Sequence, residues 1–136
     1  MLQAYSSNLS VDANAVFPFN NVTVDKGCAE TLSAPASIQL NQRGVYLVEM
    51  DGFATGSEAA DGSVQLYVNG VAYPQAISTF TTAAADIVNY NFKTFVQVAN
   101  NNCQCNCISS PTVLQFMNGD TALTEAHINV VVTKIR

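Results

Sequence analysis

The sequence predicts an all-β protein, and three features indicate this fold class. No stretch longer than about ten residues keeps the apolar spacing of an amphipathic helix. Short segments rich in β-branched and aromatic residues recur between turn signals. In the stretch 62–76, apolar residues alternate from Val64 to Val68 and give way to Asn69-Gly70, a dipeptide that suits a type I′ hairpin turn. We therefore expect a two-sheet jelly-roll sandwich of eight to ten strands.

The strands are expected wherever such a segment lies between turn signals. In order they are 2–7, 15–19, 21–25, 37–40, 44–54, 63–69, 71–79, 87–98, 112–117 and 123–135, with loops at 27–36, 55–62 and 99–111. Pro74 has no N–H to give to a neighbouring strand, so strand 71–79 is placed at a sheet edge or a bulge. No repeat or linker divides the chain, and residues 1–136 are read as one domain, with 1–14 as an N-terminal arm and first strand.

Two strands are predicted to be apolar on both faces. In strand 44–54 the two sets are Tyr46, Val48 and Met50 on one face, and Val45, Leu47 and Phe53 on the other. The last strand repeats the pattern, with Val130 opposite Val131. A two-layer sandwich buries one face of each sheet, so the second face requires another layer, and we expect a second copy of the chain to supply it. Strand 87–98 makes this layer partly polar, because Asn91 and Lys93 share a face with Phe95.

Composition argues against nucleic acid as a partner. The chain carries a net charge of −5 and only 11% charged residues, against about a quarter in typical soluble domains. Its five basic residues are scattered along the sequence at Lys26, Arg43, Lys93, Lys134 and Arg136. They form no basic stripe that could follow phosphates, whereas the Asn, Gln, Ser and Thr content suits packed assemblies and protein or carbohydrate partners.

From the sequence we expect neither export through a signal peptide nor insertion into a bilayer. Residues 1–7 contain neither a basic segment nor an apolar segment of a signal peptide. The longest aliphatic run, Val130 to Val132, is far too short to span a membrane. We therefore expect a protein that is kept in a cytosol or assembled into a particle there.

Three motifs resemble those of the tumour necrosis factor and complement globular-head superfamily. They are Gly-Val-Tyr-Leu-Val at 44–48, Val-Gln-Leu-Tyr-Val-Asn-Gly at 64–70 and Ile-Asn-Val-Val-Val-Thr-Lys-Ile at 128–135. The similarity follows the order and spacing of residues 17–135. It is greatest to the bacterial and bacteriophage branch, which includes the tip domain of the spore-surface collagen-like glycoprotein.

The resemblance implies a ten-strand jelly roll that forms a tight homotrimer. In such proteins the strands corresponding to the first, 44–54, 87–98 and last strands of this chain lie in an inner sheet around a three-fold axis. Members are binding and structural modules rather than enzymes. This sequence lacks the collagen-like stalk and the coiled coil that carry some members.

These arguments select two sets of site residues. The trimer contact is expected to involve Tyr5, Val45, Leu47, Phe95, His127 and Val131. The loop surface that meets other molecules is expected to include Glu58, Asp61, Tyr67 and Asn101.

The cysteines leave three alternatives open. Cys103, Cys105 and Cys107 point the same way in an extended segment, and Cys28 lies in another loop. They are free thiols, disulfides within or between subunits, or ligands of a soft metal such as zinc. Structural zinc sites favour a longer spacing between paired cysteines, so metal is the weakest of the three and no cofactor is expected.

Catalysis is not expected. His127 is the only histidine, and no nucleophile motif accompanies it. A cupin-like metal barrel would need several histidines. Glu49, Asp51, Glu58 and Asp61 lie close in sequence but match no calcium loop.

The interpretation is a non-enzymatic trimeric module of a bacteriophage virion, as a capsid decoration, head fibre or fibre tip. Its partners would be its own copies, other virion or surface-layer proteins and a host glycan or protein receptor, with no nucleic acid or membrane. The alternatives are a spore-coat or secreted adhesion module at a bacterial surface, and a small thiol-dependent, metal-binding or cupin-like protein.

Overall fold

Two antiparallel five-stranded sheets pack face to face in the computed structural model, which describes residues 1–99 and 111–136. The ten strands are β1 (Leu2–Val11), β2 (Asn21–Asp25), β3 (Glu30–Ala34), β4 (Ser37–Leu40), β5 (Gly44–Gly56), β6 (Ala60–Val68), β7 (Val71–Thr82), β8 (Ile87–Val98), β9 (Thr112–Asn118) and β10 (Leu123–Lys134). Sheet 1 has the order β2-β1-β10-β5-β8, and sheet 2 has the order β3-β4-β9-β6-β7. The first and last strands of the chain are therefore hydrogen-bonded neighbours in sheet 1.

The core lies between the sheets and is filled by alternate residues of their strands. Sheet 1 contributes Leu2, Tyr46, Val48, Met50, Tyr90, Ile128, Val130 and Val132, and sheet 2 contributes Ile38, Leu40, Val64, Leu66, Leu114 and Phe116. Each of these side chains is at most 2% exposed. Successive side chains of a strand point to opposite faces of its sheet. The residues of sheet 1 that alternate with these buried ones therefore lie on its outer face.

The predicted hairpin at Asn69-Gly70 is confirmed. Asn69 and Gly70 have φ values of 51° and 78°, which is the positive pair that a type I′ turn requires. The Asn69 side-chain oxygen also accepts a hydrogen bond from the Val113 N–H at 2.8 Å, which ties the turn to β9. Pro74 lies in β7, which is an edge strand as predicted.

The strand predicted at 15–19 is wrong. Only Val16 makes a bridge, to Met117, and the rest of the segment is irregular. Pro18 lacks an N–H, so a regular ladder cannot continue through it. Phe17 and Phe19 instead enter the core, where Phe19 meets Phe116 edge-on with ring centres 5.8 Å apart.

The prediction of a continuous loop over residues 27–36 is also wrong, because β3 begins at Glu30. The Glu30 side chain is only 1% exposed. One carboxylate oxygen accepts the Lys134 N–H at 2.6 Å, and the other pairs with the Met1 amino group at 2.9 Å. A buried carboxylate with both oxygens partnered is tolerated, and this one joins β3 of sheet 2 to the end of β10 and to the residue that precedes β1.

A buried asparagine organises the loops at the other end of the sandwich. Asn118 is 1% exposed, and its side-chain amide donates to the carbonyl oxygens of Val11, Asp12 and Thr121 at 3.4, 3.1 and 2.8 Å. The Thr121 hydroxyl in turn donates to the Asp61 carbonyl oxygen at 2.8 Å. These bonds connect the end of β1 and the residue after it to the loop between β9 and β10.

Candidate oligomer interface

All six residues predicted for the trimer contact lie on the outer face of sheet 1, opposite the core. Tyr5 lies in β1, Val45 and Leu47 in β5, Phe95 in β8, and His127 and Val131 in β10. Each alternates with a buried neighbour, and none of the six is itself buried. The structure therefore brings these residues onto one face, and their part in a contact between subunits stays a prediction.

One end of the outer face carries an aromatic cluster, which consists of Tyr5, Phe53 and His127. The Phe53 ring stacks on the His127 imidazole, with ring centres 5.1 Å apart and planes 14° from parallel. Tyr5 lies on β1, the strand on the other side of β10, and its ring centre is 6.4 Å from the centre of the imidazole ring. Phe53 is nevertheless 46% exposed, so the cluster presents a large apolar surface to solvent in the single chain.

The opposite end carries an aliphatic cluster with Phe95, which we define as Val45, Leu47, Phe95, Val131 and Ile135. Leu47 and Phe95 face each other directly across β5 and β8. Phe95 is 58% exposed and Ile135 is 54% exposed. Large apolar side chains exposed together are typical of surfaces that contact another molecule.

A polar belt runs across the outer face of sheet 1, and on β5 it consists of Glu49 and Asp51, which lie between Leu47 and Phe53. The Gln3 amide donates to the Asn129 side-chain oxygen at 3.1 Å, and the Asn129 amide donates to an Asp51 carboxylate oxygen at 3.0 Å. Beside them Lys93 pairs with Glu49 at 3.0 Å. Each of these contacts joins side chains of neighbouring strands among β1, β10, β5 and β8. The polar groups of the belt therefore have partners within one subunit.

Tyr90 supports the aromatic cluster from inside the sandwich. Its one O–H proton is shared between the main-chain oxygens of His127 and Phe53, which lie 2.7 and 3.2 Å from the hydroxyl oxygen. Gly52 makes room for the ring, because a Cβ there would lie 2.4 Å from a ring carbon of Tyr90. Burial raises the pKa of Tyr90 well above its usual value of 10, so the hydroxyl stays protonated and continues to donate.

The residues predicted for the loop surface are dispersed. Glu58 is exposed in the turn 57–59, whereas Asp61 lies within β6 and accepts a hydrogen bond from the Thr81 hydroxyl at 3.2 Å. Tyr67 is half-buried on the outer face of sheet 2. The predicted loop 55–62 is therefore too long, and Asn101 lies outside the described residues.

The described part of the chain brings no metal ligands together. No group of three or more His, Cys, Asp or Glu side chains in residues 1–99 and 111–136 is arranged to hold an ion. Cys28 is exposed there, with its sulfur 3.3 Å from the Gln42 amide nitrogen. Cys103, Cys105 and Cys107 lie outside the described residues, so the three alternatives for the thiols stand as predictions.

The same described ranges contain no helix with the length and hydrophobicity that crossing a membrane requires.

Comparison with known proteins gives matches in structure but not in sequence. No family model and no curated sequence matches the chain. The globular domain of zebrafish complement 1qA superposes with a TM-score of 0.73 at 7% identity, covering 99% of this chain and 96% of that one. The fold is the jelly roll of the tumour necrosis factor and complement globular-head proteins.

Two further structures of this fold are a virus protein and a cytokine. The PRD1 vertex protein P5 has a TM-score of 0.67 at 18% identity, and the match covers 99% of this chain and 96% of that one. The Eiger TNF of S. frugiperda has a TM-score of 0.66 at 14% identity, with 98% and 92% covered. The resemblance seen in the sequence motifs is thus confirmed for the fold, and β1, β5, β8 and β10 share one sheet as it implied.

The link between Tyr90 and the aromatic cluster is open to a direct test. Tyr90→Phe keeps the ring and removes the one O–H donor shared by the two part-buried main-chain oxygens, so we expect the free energy of unfolding to fall by about 1–3 kcal/mol. Urea unfolding followed by circular dichroism measures the change. Tyr67→Phe is the matched control, because the Tyr67 hydroxyl makes no hydrogen bond within the described residues. Equal stability of the two variants would contradict the role given to the Tyr90 hydroxyl.

Proposed function

We propose that this chain is the subunit of a non-enzymatic homotrimer, in which the outer faces of sheet 1 meet around a three-fold axis. The assembled trimer serves as a structural or binding module of a bacteriophage virion. Its place in the particle is a capsid decoration, a head fibre or a fibre tip. The observation that carries the proposal is the pair of exposed apolar clusters on a rigid sheet of a tumour necrosis factor-like jelly roll.

The physics of the outer face supports burial by a second copy. Phe53, Phe95 and Ile135 together expose far more apolar surface than isolated surface residues do, and removing that surface from water is favourable. A face that meets copies of itself needs no other partner to be present. The amide groups of the polar belt are already hydrogen-bonded within each subunit, so they need no new partner in such a contact.

The virion role draws support from the likeness to the PRD1 vertex protein P5, a bacteriophage protein. That likeness at 18% identity concerns the fold, and the role is carried over here as a proposal. The partners in this role are other virion proteins and a glycan or protein on the host surface. Three copies of one weak binding surface on a rigid body bind a multivalent target more tightly through avidity.

The oligomer is tested by charging one apolar cluster. The parent protein is expected to show a mass three times the 14.5 kDa of the chain in size-exclusion chromatography with light scattering. Phe95→Asp places a carboxylate in the buried contact and is expected to yield monomers, because an unpaired charge is costly to desolvate.

Ile77→Asp is the matched control for that experiment. Ile77 is 42% exposed on β7, in sheet 2, so its substitution is expected to leave the trimer intact. Circular dichroism of both variants shows whether the sandwich stays folded. A monomeric parent protein, or a trimer that persists in folded Phe95→Asp, would refute the proposed interface.

The virion role has its own test. Particles of the phage that encodes the chain, purified through a density gradient, are expected to contain its peptides in mass spectrometry at a fixed ratio to the major capsid protein. Peptides found only in the lysate, and not in the gradient-purified particles, would rule the role out while leaving the trimer standing.

A further inference from the structure

Three of the five basic side chains meet at one pocket, although they are far apart in the sequence. Arg43, Lys134 and Arg136 all line it, and the pocket has a volume of about 450 Å³. The remaining lining residues are Gly44, Val45, Gln97, Val98 and Ala99. A chain of net charge −5 thus places three of its five basic residues around one pocket.

The strand pairing of sheet 1 brings these residues together. The Ile135 N–H donates to the Val45 carbonyl oxygen at 2.8 Å, and the Val45 N–H donates to the Arg136 carbonyl oxygen at 3.0 Å. A Cβ at Gly44 would collide with that same carbonyl oxygen, so glycine allows the start of β5 to lie against residues 134–136. Five of the eight lining residues belong to β5, β8 and β10, and Arg43, Ala99 and Arg136 lie just beyond the ends of these strands.

No Asp or Glu side chain among the described residues forms a salt bridge with Arg43, Lys134 or Arg136. The Lys134 ammonium group donates to the neutral side-chain oxygen of Gln42 at 3.0 Å. The salt bridges of the described residues involve Glu30 and Glu49, with other partners. Residues 100–110 contain no Asp or Glu in their sequence. Like charges held close together repel one another, and an anion bound between them removes that repulsion.

The shape of the pocket selects the kind of anion. A volume of about 450 Å³ falls within the range of small-molecule sites and is larger than a single phosphate or sulfate fills. Val45 and Val98 supply apolar wall, and the Gln97 amide offers hydrogen bonds to hydroxyl groups. The planar guanidinium groups of Arg43 and Arg136 match the geometry of a carboxylate.

We propose that this pocket binds an acidic sugar, meaning a monosaccharide unit that carries a carboxylate. The proposal adds a ligand class to the surface-binding role above and rests on that role. All the lining residues belong to one subunit, and Val45 among them is also part of the aliphatic cluster, so the pocket adjoins the proposed trimer contact and its binding is measured together with the oligomeric state.

The experiment is a titration of the full chain at low ionic strength, followed by isothermal calorimetry and by the amide ¹H–¹⁵N shifts of Gln97 and Val98. D-glucuronate is the probe, D-glucose is its neutral counterpart and inorganic phosphate is the bare anion. We expect saturable binding of glucuronate with shifts at both amides, and weaker binding of glucose and phosphate. Arg43→Ser and Arg136→Ser are each expected to weaken glucuronate binding about tenfold, the loss of one charge-assisted hydrogen bond.

Lys26→Ser is the matched control, because it removes one positive charge from outside the pocket. Its affinity for glucuronate is expected to match that of the parent chain. Equal affinity for glucuronate and glucose would overturn the assignment of charge recognition, and phosphate binding as tight as glucuronate would overturn the assignment of a sugar. Unchanged binding in both arginine variants would overturn the location. Light scattering on the same samples keeps failure of this site distinct from failure of the trimer.

Discussion

The alternation of side chains in the regular parts of sheet 1 is the constraint on which the rest of the structure depends. Over residues 2–6, 46–50, 94–98 and 126–132 every second residue is buried between the sheets, and the residues between them face away from the core. In β5 the outward set still includes Val45, Leu47 and Phe53. The sequence therefore commits apolar side chains to a face that the fold of a single chain cannot bury.

Tyr90 connects the core of the sandwich to the outer face of sheet 1. Tyr90 fills the core and fastens the backbone of His127 and Phe53, whose side chains stack on the outside. The irregular pairing of β10 with β5 between Thr124 and His127 lies beside this point. An aromatic cluster held from beneath by a buried hydroxyl is pre-organised, which reduces the ordering cost of any contact it makes.

Local signals in the sequence predicted much of this fold. Asn69-Gly70 encodes its turn in two residues, and Pro74 marks its edge strand without reference to any distant contact. The segment 15–19 was wrongly predicted as a strand because its aromatic residues resemble those of a strand. Phe17 and Phe19 are instead buried in the core on either side of Pro18. β3 was missed because it begins at Glu30, a charged residue. The burial of Glu30 depends on distant partners, one of which, Lys134, is more than a hundred positions away in the sequence.

The features of the candidate sites that escaped prediction are all set by strand register. Asp51, Asn129 and Gln3 form a belt only because β5, β10 and β1 align in sheet 1. Arg43 and Arg136 look scattered in the sequence, and they share a pocket only because the end of the chain pairs with the start of β5. Alternation predicts which face a residue takes, whereas its neighbours across the sheet follow from pairings that a single sequence does not display.

The most direct measurement of the central claim is a crystal structure of the purified protein. We expect three-fold symmetry, with the outer faces of sheet 1 turned toward the axis, the Phe95 side chain buried instead of 58% exposed, and the Asn129–Asp51 hydrogen bond retained. A structure in which the outer face of sheet 1 stays open to water, while the contacts between copies use sheet 2, would contradict the account.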